Sequence, residues 1–297
     1  MGLDELREAR LLTDANLEQP EAYRTAAGQV VLSSQRAPGK ETPNEDAALV
    51  LPLGSDGVLL AVADGAGGMP AGHIASRLTL ETLLQSVQAV EPGDALRGAV
   101  LDGLERANEA ILATRNGSGT TVAVAVIYAG RLRTFHVGDS QILVIGQRGK
   151  IKLQTIMHSP VGYALESELL DEAGAAVHEE RYVVSNLLGT REMRIEIGPD
   201  LALAPRDTVL LASDGLADNL LSDAIVERIR MGPLQRGLSA LARDCQVVMR
   251  GEANPAVAHP DDLTLIAHRG AVAPRPRPAS SSTPAGQTES PRSGRGG

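Results

Sequence analysis

The sequence is poor in aromatic residues and in cysteine. Its 297 residues include one Phe, four Tyr, no Trp and a single cysteine, Cys245. A lone cysteine excludes an internal disulfide and a cysteine-ligated metal cluster, and such cysteine usage is typical of a reducing compartment. We therefore expect a cytoplasmic protein. The hydrophobic fraction of 43% is enough for a core, which must consist mainly of Leu, Val, Ile and Ala.

Long apolar runs are also missing. The N-terminal stretch "MGLDELREARLLTDANLEQP" alternates charged and apolar residues and lacks the apolar segment of roughly 7–15 residues that a signal peptide has. No run approaches the roughly 18 apolar residues of a membrane span. The formal charge of −9 argues against nucleic-acid binding, because contact with phosphates needs a basic face. We expect a monomer without a nucleic-acid or membrane partner.

Composition divides the chain into three parts. Residues 1–27 are predicted to be a partly helical N-terminal extension, and residues 28–270 a single domain. Residues 271–297 contain five Pro and five Ser with almost no bulky apolar side chains, so they are predicted to be a disordered tail. The tail carries four Arg and one Glu, whereas the body is acidic.

Hydrophobic periodicity predicts the order of the elements. Apolar residues recur at helical spacing over residues 74–87 and 95–112, which predicts two consecutive amphipathic helices. Strand-like runs joined by short turns precede and follow them, and a second helix pair comes before a final strand. This order favours antiparallel sheets with helices on their outer faces, an α+β layered sandwich. Residues 160–185 interrupt the rhythm and are predicted to form an insert.

Five aspartates occur at matched places, each at the start or the end of a predicted strand. A single Asp-Gly after a strand is an ordinary turn, but five such positions are better explained by a metal site. Clustered oxygen ligands without Cys or His select Mg²⁺ or Mn²⁺, and two bridged ions lower the pKa of a shared water. The glycine after the second aspartate lets the backbone carbonyl approach an ion. The residues in question are Asp46, Asp64, Gly65, Asp139, Asp214 and Asp261.

The motifs "NEDA", "VADGAGG", "GSGTT", "FHVGDS", "LLASDGL" and "DDLTL" occur in this order. Together they resemble the metal-dependent PPM family, the type 2C Ser/Thr protein phosphatases, especially its bacterial members. The resemblance covers about residues 28–269, nearly all of the chain that is predicted to be ordered. It implies a four-layer α-β-β-α sandwich, in which two antiparallel sheets are flanked by helix pairs. It also implies two Mg²⁺ or Mn²⁺ ions whose activated water hydrolyses phosphoserine or phosphothreonine in a protein, the product of a Ser/Thr kinase.

The resemblance further assigns roles to single residues. Glu45 orients metal-bound water, Asp139 helps to hold a third ion, and residues 160–185 correspond to a flap that influences substrate choice. Asp64 bridges the two main ions, and with Asp46 and Asp214 it acts in catalysis through the metal-bound water. The full set of ligands is Asp46, Asp64, Gly65 through its carbonyl, Asp139, Asp214 and Asp261.

The sequence departs from the family pattern at several positions. Glu41, with Lys40 beside it, stands where the family usually has an arginine that holds the substrate phosphate. Ala66 stands where animal members have a general-acid histidine, Met157 replaces the aspartate of "DHS", and Asp262 replaces an asparagine. None of these changes removes a carboxylate ligand.

Three hypotheses follow from these residues. The first is a metal-dependent phosphoprotein phosphatase, which the complete aspartate set favours. The second is a catalytically weak regulator that keeps the fold and binds a phosphoprotein partner, which Glu41 favours. The third is a metal-binding structural module. His136 is predicted to be a core or surface residue rather than a ligand, and Cys245 a core residue.

Overall fold

Fourteen strands and seven helices are present in residues 3–66, 71–252 and 258–270, the part of the chain that the computed structural model describes. The predicted tail, residues 271–297, lies outside it. The helices are α1 (Gly72–Gln88), α2 (Ala95–Thr114), α3 (Pro160–Glu166), α4 (Glu172–Ala175), α5 (Asp214–Ala217), α6 (Ser222–Ile229) and α7 (Leu234–Met249). The strands are β1 (Asp4–Glu5), β2 (Arg10–Thr13), β3 (Glu21–Thr25), β4 (Gly28–Gln35), β5 (Asp46–Leu53), β6 (Gly57–Asp64), β7 (Val122–Tyr128), β8 (Arg131–Val137), β9 (Gln141–Ile145), β10 (Ile151–Gln154), β11 (Glu196–Ile197), β12 (Leu201–Ala202), β13 (Thr208–Ala212) and β14 (Leu263–Gly270).

The strands form two sheets. The first has the order β1-β3-β4-β14-β13-β9-β10, and the second has the order β11-β8-β7-β6-β5-β2, with β12 also paired to β8. All pairs are antiparallel except the short pair of β1 and β3. Short turns between successive strands permit this pairing, as the sequence predicts.

Three apolar clusters hold the layers together. Side chains such as Leu60 and Leu211 fill the space between the sheets. Helices α1 and α2 cover the second sheet, with Leu83 fully buried, and α6 and α7 cover the first sheet through Leu241 and Cys245. The predicted four-layer α-β-β-α sandwich is therefore confirmed, and Cys245 is a core residue.

The N-terminal segment differs from the prediction, because it forms strands and not helix. Strand β2 pairs with β5, placing Leu12 opposite Ala48, and β3 pairs with β4. Without these strands, β4 and β5 would expose unpaired backbone groups at the sheet edges. Pairing with an open edge and burial of Leu12 therefore outweigh the local helical pattern.

The remaining element predictions agree closely with the structure. The predicted helices at 74–87 and 95–112 lie within α1 and α2. The insert at 160–185 contains only the short helices α3 and α4. Among the described residues, the helices are all too short or too polar to span a bilayer.

Candidate metal centre

Five aspartates lie at the strand ends that meet at one edge of the sandwich. Asp46 opens β5 and faces Asp64, the last residue of β6, directly across the antiparallel pair. Asp139 follows β8, Asp214 begins the helical turn after β13, and Asp261 comes two residues before β14. Because β13 and β14 are antiparallel, the end of one lies beside the start of the other. The structure thus brings all five predicted carboxylates together.

Ser213 links the two sheets beside these carboxylates. Its hydroxyl donates to Asp46 Oδ2 at 2.8 Å and accepts a hydrogen bond from the backbone N–H of Thr264 at 2.9 Å. Strands β5, β13 and β14 are therefore held in register at the candidate site by one buried side chain.

The carboxylates are buried but poorly satisfied. Asp46 and Asp139 are 2% and 6% exposed, whereas Asp64, Asp214 and Asp261 keep a partly exposed edge. The Oδ1 atoms of Asp46, Asp139 and Asp214 are buried without a hydrogen-bond partner among the described residues. Leaving a charged acceptor in this state is costly. The cluster is suited to a ligand that brings positive charge and enters from the exposed side.

The pKa values of these groups reflect the same lack of compensation. Burial, followed by repulsion from Asp262, raises the pKa of Asp46 to about 8. Burial also raises the pKa of Asp139 to about 7. Burial and then the charge of Asp214 hold the pKa of Asp64 well above its ordinary value. Carboxyl groups this close to one another cannot all ionise at neutral pH without a cation.

The donor set fits divalent cations. It consists of carboxylate oxygens and contains no thiolate, which is the chemistry that Mg²⁺ and Mn²⁺ prefer. At Gly65 a Cβ atom would lie 2.3 Å from the carbonyl carbon of Gly72, so any side chain there would push α1 away from β6. Glycine at this position keeps the backbone close to the carboxylates.

Lys40, the neighbour of Glu41, forms an ion pair with Asp262, which replaces the asparagine of the family pattern. Lys40 Nζ lies 2.7 Å from Asp262 Oδ2 and 2.8 Å from Glu45 Oε2. Asp262 also accepts hydrogen bonds from the backbone N–H groups of Ala37 and Glu45 at 2.9 and 2.7 Å. Burial lowers the pKa of Lys40, but its two carboxylate partners more than offset this, and the net shift is upward. Lys40 thus neutralises Asp262 and ties the loop before β5 to the start of β14. Glu41, by contrast, is exposed.

His158 supports the loop that carries Asp139. Its Nδ1 atom accepts from the backbone N–H of Gly138 at 3.1 Å and lies 2.8 Å from Asn186 Nδ2, so Nδ1 carries no proton. Its Nε2 atom therefore carries the proton and donates to Glu196 at 3.1 Å. The ring orientation is fixed by these contacts, and with it the position of the Gly138 backbone.

A second group of potential metal ligands in the described part of the chain consists of His136, His158 and Glu196. It contains two imidazoles and one carboxylate and shares no residue with the five aspartates. The rings of His136 and His158 are stacked with centroids 4.5 Å apart, and His136 is 1% exposed. If a metal bound to Nε2 of a neutral His158 ring, the ring proton would move to Nδ1. Two donors, Nδ1–H and the N–H of Gly138, would then face each other, and the hydrogen bond between them would be lost. His136 is therefore a core residue, as predicted.

The sequence did not reveal two residues at the border of the site. Asp218, one helical turn after Asp214, lies 3.1 Å from His259 Nδ1, although this contact lacks hydrogen-bond geometry. The ring of Tyr182 from the insert packs on His259 with centroids 4.5 Å apart. The i, i+4 spacing of the two aspartates was the available signal for Asp218. The contact of Tyr182 with His259 joins distant segments and leaves no local pattern.

The geometry agrees with comparisons to known proteins. The family model described as "Protein phosphatase 2C" matches residues 36–246. The chain belongs to this family. It is 29% identical over 216 residues to the serine/threonine protein phosphatase PstP of Mycobacterium tuberculosis, covering 70% of this chain and 39% of PstP. It is 31% identical over 182 residues to the protein phosphatase PhpP of Streptococcus pneumoniae, covering 58% of this chain and 72% of PhpP.

Solved structures show the same fold. The crystal structure of M. tuberculosis PstP superposes with a TM-score of 0.67 at 24% identity, covering 82% of this chain and 98% of that one. The PstP catalytic domain in complex with two manganese ions gives a TM-score of 0.65 at 24% identity, with the same coverage. The chain spans about two fifths of the length of PstP.

Proposed function

We propose that the protein is a phosphoprotein phosphatase that depends on Mn²⁺ or Mg²⁺ and hydrolyses phosphoserine and phosphothreonine, the products of a Ser/Thr kinase. The observation that carries the proposal is the group of five aspartates at one edge of the sandwich, three of which have a buried oxygen without a partner. Membership of the protein phosphatase 2C family and the two manganese ions of PstP support the same reading.

The residues that would hold two ions are Asp46, Asp64, Gly65 through its carbonyl, Asp214 and Asp261. Asp139 would help to hold a third. Two divalent cations in such a site supply a water that is nucleophilic at neutral pH and neutralise charge on the phosphate. Asp64 would be shared by the two ions, because it faces Asp46 and because, after burial, the charges of Asp214 and Asp46 contribute most to its raised pKa.

The chain's own residues prepare the site for this reaction. Ser213 fixes the orientation of Asp46, and His158 fixes the loop of Asp139. Glu45 Oε2 accepts from Lys40, while its Oε1 atom lies 2.8 Å from where a Cβ on Gly72 would be. Glu45 would hold a water beside the aspartates, as the family resemblance implies.

Hydrolysis of p-nitrophenyl phosphate and of a phosphothreonine peptide, with and without Mn²⁺, tests the proposal. The native protein should turn over both esters only with metal, and Asp64→Ala should reduce both rates by at least about a hundredfold. Equal rates for the native protein and Asp64→Ala would refute an enzymatic role. Metal binding without turnover of either ester would favour the phosphoprotein-binding regulator or the structural module.

The exposed Glu41 stands where the family usually has an arginine that holds the substrate phosphate, and its carboxylate would repel that phosphate. Glu41→Arg should lower the KM for the phosphopeptide by roughly tenfold, as expected for a new charge-assisted contact. Glu41→Gln is the matched control, since it removes the repulsion without adding a cation. If arginine and glutamine have the same effect, position 41 does not contact the phosphate.

A further inference from the structure

A groove lies on the outer face of the second sheet, at the end of the sandwich that is remote from the aspartates. It is bordered by the first turn of α2 and by the β7–β8 hairpin, has a volume of about 330 Å³, and is called the α2–β8 groove below. Tyr128 in its floor lies opposite Gly57, the first residue of β6, whereas Asp64 is the last residue of that strand. The extended chain from Gly57 to Asp64 spans roughly 23 Å. The groove is therefore separate from the candidate metal centre.

The floor of the groove follows from the alternation of side chains along two strands. Arg131, Arg133 and Phe135 alternate along β8, so their side chains lie on the same face of the sheet. Tyr128 and Val126 of β7 lie opposite Arg131 and Arg133 in the antiparallel pair. Phe135 and Val126 are buried in the apolar cluster under α1 and α2, and Tyr128 is partly buried against it. The floor is thus apolar and aromatic, whereas the two arginines beside it are partly exposed.

The walls of the groove carry cations that are incompletely compensated. Arg131 Nε donates to Asp200 Oδ1 at 2.9 Å. Arg133 Nη2 lies 3.7 Å from the other oxygen of Asp200, which is too far for a hydrogen bond. Arg97, exposed in the first turn of α2, makes no side-chain hydrogen bond or ion pair with the described residues. With Asp94, the walls contain three arginines and two carboxylates, a formal charge of +1 in a chain whose charge is −9.

The size and the lining of the groove suit a small organic anion. Sites for small molecules usually have volumes of about 300–1,000 Å³, with apolar walls and a few polar groups that fix the orientation of the ligand. The planar guanidinium group of arginine pairs with both oxygens of a carboxylate, and aromatic side chains stack on flat rings. Nucleic acid would need a broad basic face, which this acidic chain does not offer.

We propose that the α2–β8 groove binds a small aromatic carboxylate. Its ring lies on Val126 and Tyr128, and its carboxylate lies between Arg97 and Arg133. These two arginines are the cations of the groove whose side chains lack a hydrogen-bond partner among the described residues. The inference goes beyond the proposed phosphatase function and does not depend on it, because the groove shares no residue with the candidate metal centre.

Titration of the isotope-labelled protein with 2-naphthoate, followed through its amide chemical shifts at saturating Mg²⁺, tests the inference. The native protein should bind this probe with a dissociation constant of about 1 mM or lower. The largest shifts should occur at the amides of Arg97, Tyr128 and Arg133, and not at those of Gly65 and Gly138 beside the aspartates. The uncharged analogue 2-naphthamide should bind about tenfold more weakly, because it cannot form charge-assisted hydrogen bonds.

Variants of the arginines assign the binding to the groove. Arg97→Gln together with Arg133→Gln should lower the affinity for 2-naphthoate by about tenfold and remove its advantage over 2-naphthamide. The matched control, Arg106→Gln together with Arg236→Gln, changes exposed arginines of α2 and α7 that do not line the groove, and should bind both probes like the native protein. Arg97→Gln alone, at an exposed position, should lower the affinity by about threefold without a change in melting temperature.

Several results would overturn the inference. Equal affinities for 2-naphthoate and 2-naphthamide would show that the arginines do not bind the carboxylate. An equal loss of affinity in the Arg106 and Arg236 control would show that the probe responds only to the overall charge of the protein. Shifts confined to the amides of Gly65 and Gly138 would place the probe at the metal centre. Absence of saturable binding would mean that the groove is not a site for this class of ligand.

Discussion

The two ends of strand β13 carry the same residue type in opposite situations. Asp207, just before the strand, is 4% exposed, and its Oδ2 atom accepts from Lys152 at 2.6 Å and from the Ala204 N–H at 2.8 Å. Asp214, just after the strand, has a buried Oδ1 atom with no partner among the described residues. A buried carboxylate that is compensated serves stability, whereas one that is surrounded by other carboxylates is available for a ligand.

The same contrast extends to neighbouring groups. Near Asp207, Arg269 donates to Thr208 Oγ1 and to the carbonyls of Gly232 and Ile229, so its charge has several partners. The pKa of Asp214, by contrast, is raised by its burial and then by the negative charge of Asp261. The strand therefore joins a satisfied end and an unsatisfied end, and the unsatisfied end lies at the proposed site.

The largest effect is expected at the unsatisfied end. Asp214→Asn should lower metal-dependent phosphatase activity by at least about a hundredfold, because it removes a proposed ligand. The metal-free protein should be no less stable than the native one, since one of several repelling charges is gone. Activity assays and urea unfolding in EDTA measure the two effects. A marked loss of stability in EDTA would mean that Asp214 is a structural residue like Asp207.

The reverse pattern is expected at the satisfied end. Lys152→Met leaves the buried carboxylate of Asp207 without its cation, and we expect the free energy of unfolding to fall by about 2 kcal/mol, less than for a fully buried pair because Lys152 is partly exposed. Activity under folding conditions should be unchanged. Adding Asp207→Asn should recover part of the lost stability in urea unfolding. An activity loss without destabilisation would contradict the division between the two ends.

The ion pair of Lys40 and Asp262 combines features of both ends of β13. Asp262 lies beside the unpaired carboxylates, as Asp214 does, but it has a cationic partner, as Asp207 does. Lys40→Met and Asp262→Asn should each destabilise the protein, but the double variant should lose less than the sum of the two by about 1 kcal/mol. A double-mutant cycle in urea, in EDTA, measures this coupling. Additive effects would show that the two groups do not depend on each other.

The smallest effect is a difference in pH dependence. The carboxyl of Asp46 has a pKa of about 8 in the folded protein and an ordinary value of 3.8, so the folded state binds more protons between these values. Stability of the metal-free protein should therefore fall as pH rises through that range. At the other end, burial lowers the pKa of His268 from 6.5 to about 4, so its contribution rises with pH between 4 and 6.5.

Melting temperatures in EDTA and in Mn²⁺ between pH 5 and 8 test this difference. Above about pH 6.5 the contribution of His268 no longer changes with pH, and only that of Asp46 does. The stability of the metal-free protein should therefore decline from pH 6.5 to 8. Saturating Mn²⁺ should remove this decline. His268→Gln should flatten the acidic side only. A metal-free melting temperature that rises from pH 6.5 to 8 would contradict the pKa assigned to Asp46.

Local patterns predicted most of the fold and the aspartates that the structure brings together at the candidate site. Asp64 and Asp214 end apolar runs whose alternation is visible in the sequence, and α1 and α2 follow helical spacing. Strands β2 and β3 were missed because edge pairing, and not local propensity, decides their conformation. The contact of Lys40 with Asp262 joins residues 222 positions apart, so no local pattern could indicate it.

The decisive experiment is equilibrium binding of Mn²⁺ to the native protein and to Asp64→Asn. We expect at least two ions to bind to the native chain, and the affinity for both to fall by at least about tenfold in Asp64→Asn, because this carboxylate lies opposite Asp46 and beside Asp214. Binding of Mn²⁺ to Asp64→Asn with native number and affinity would contradict the assignment of this edge of the sandwich as the metal centre.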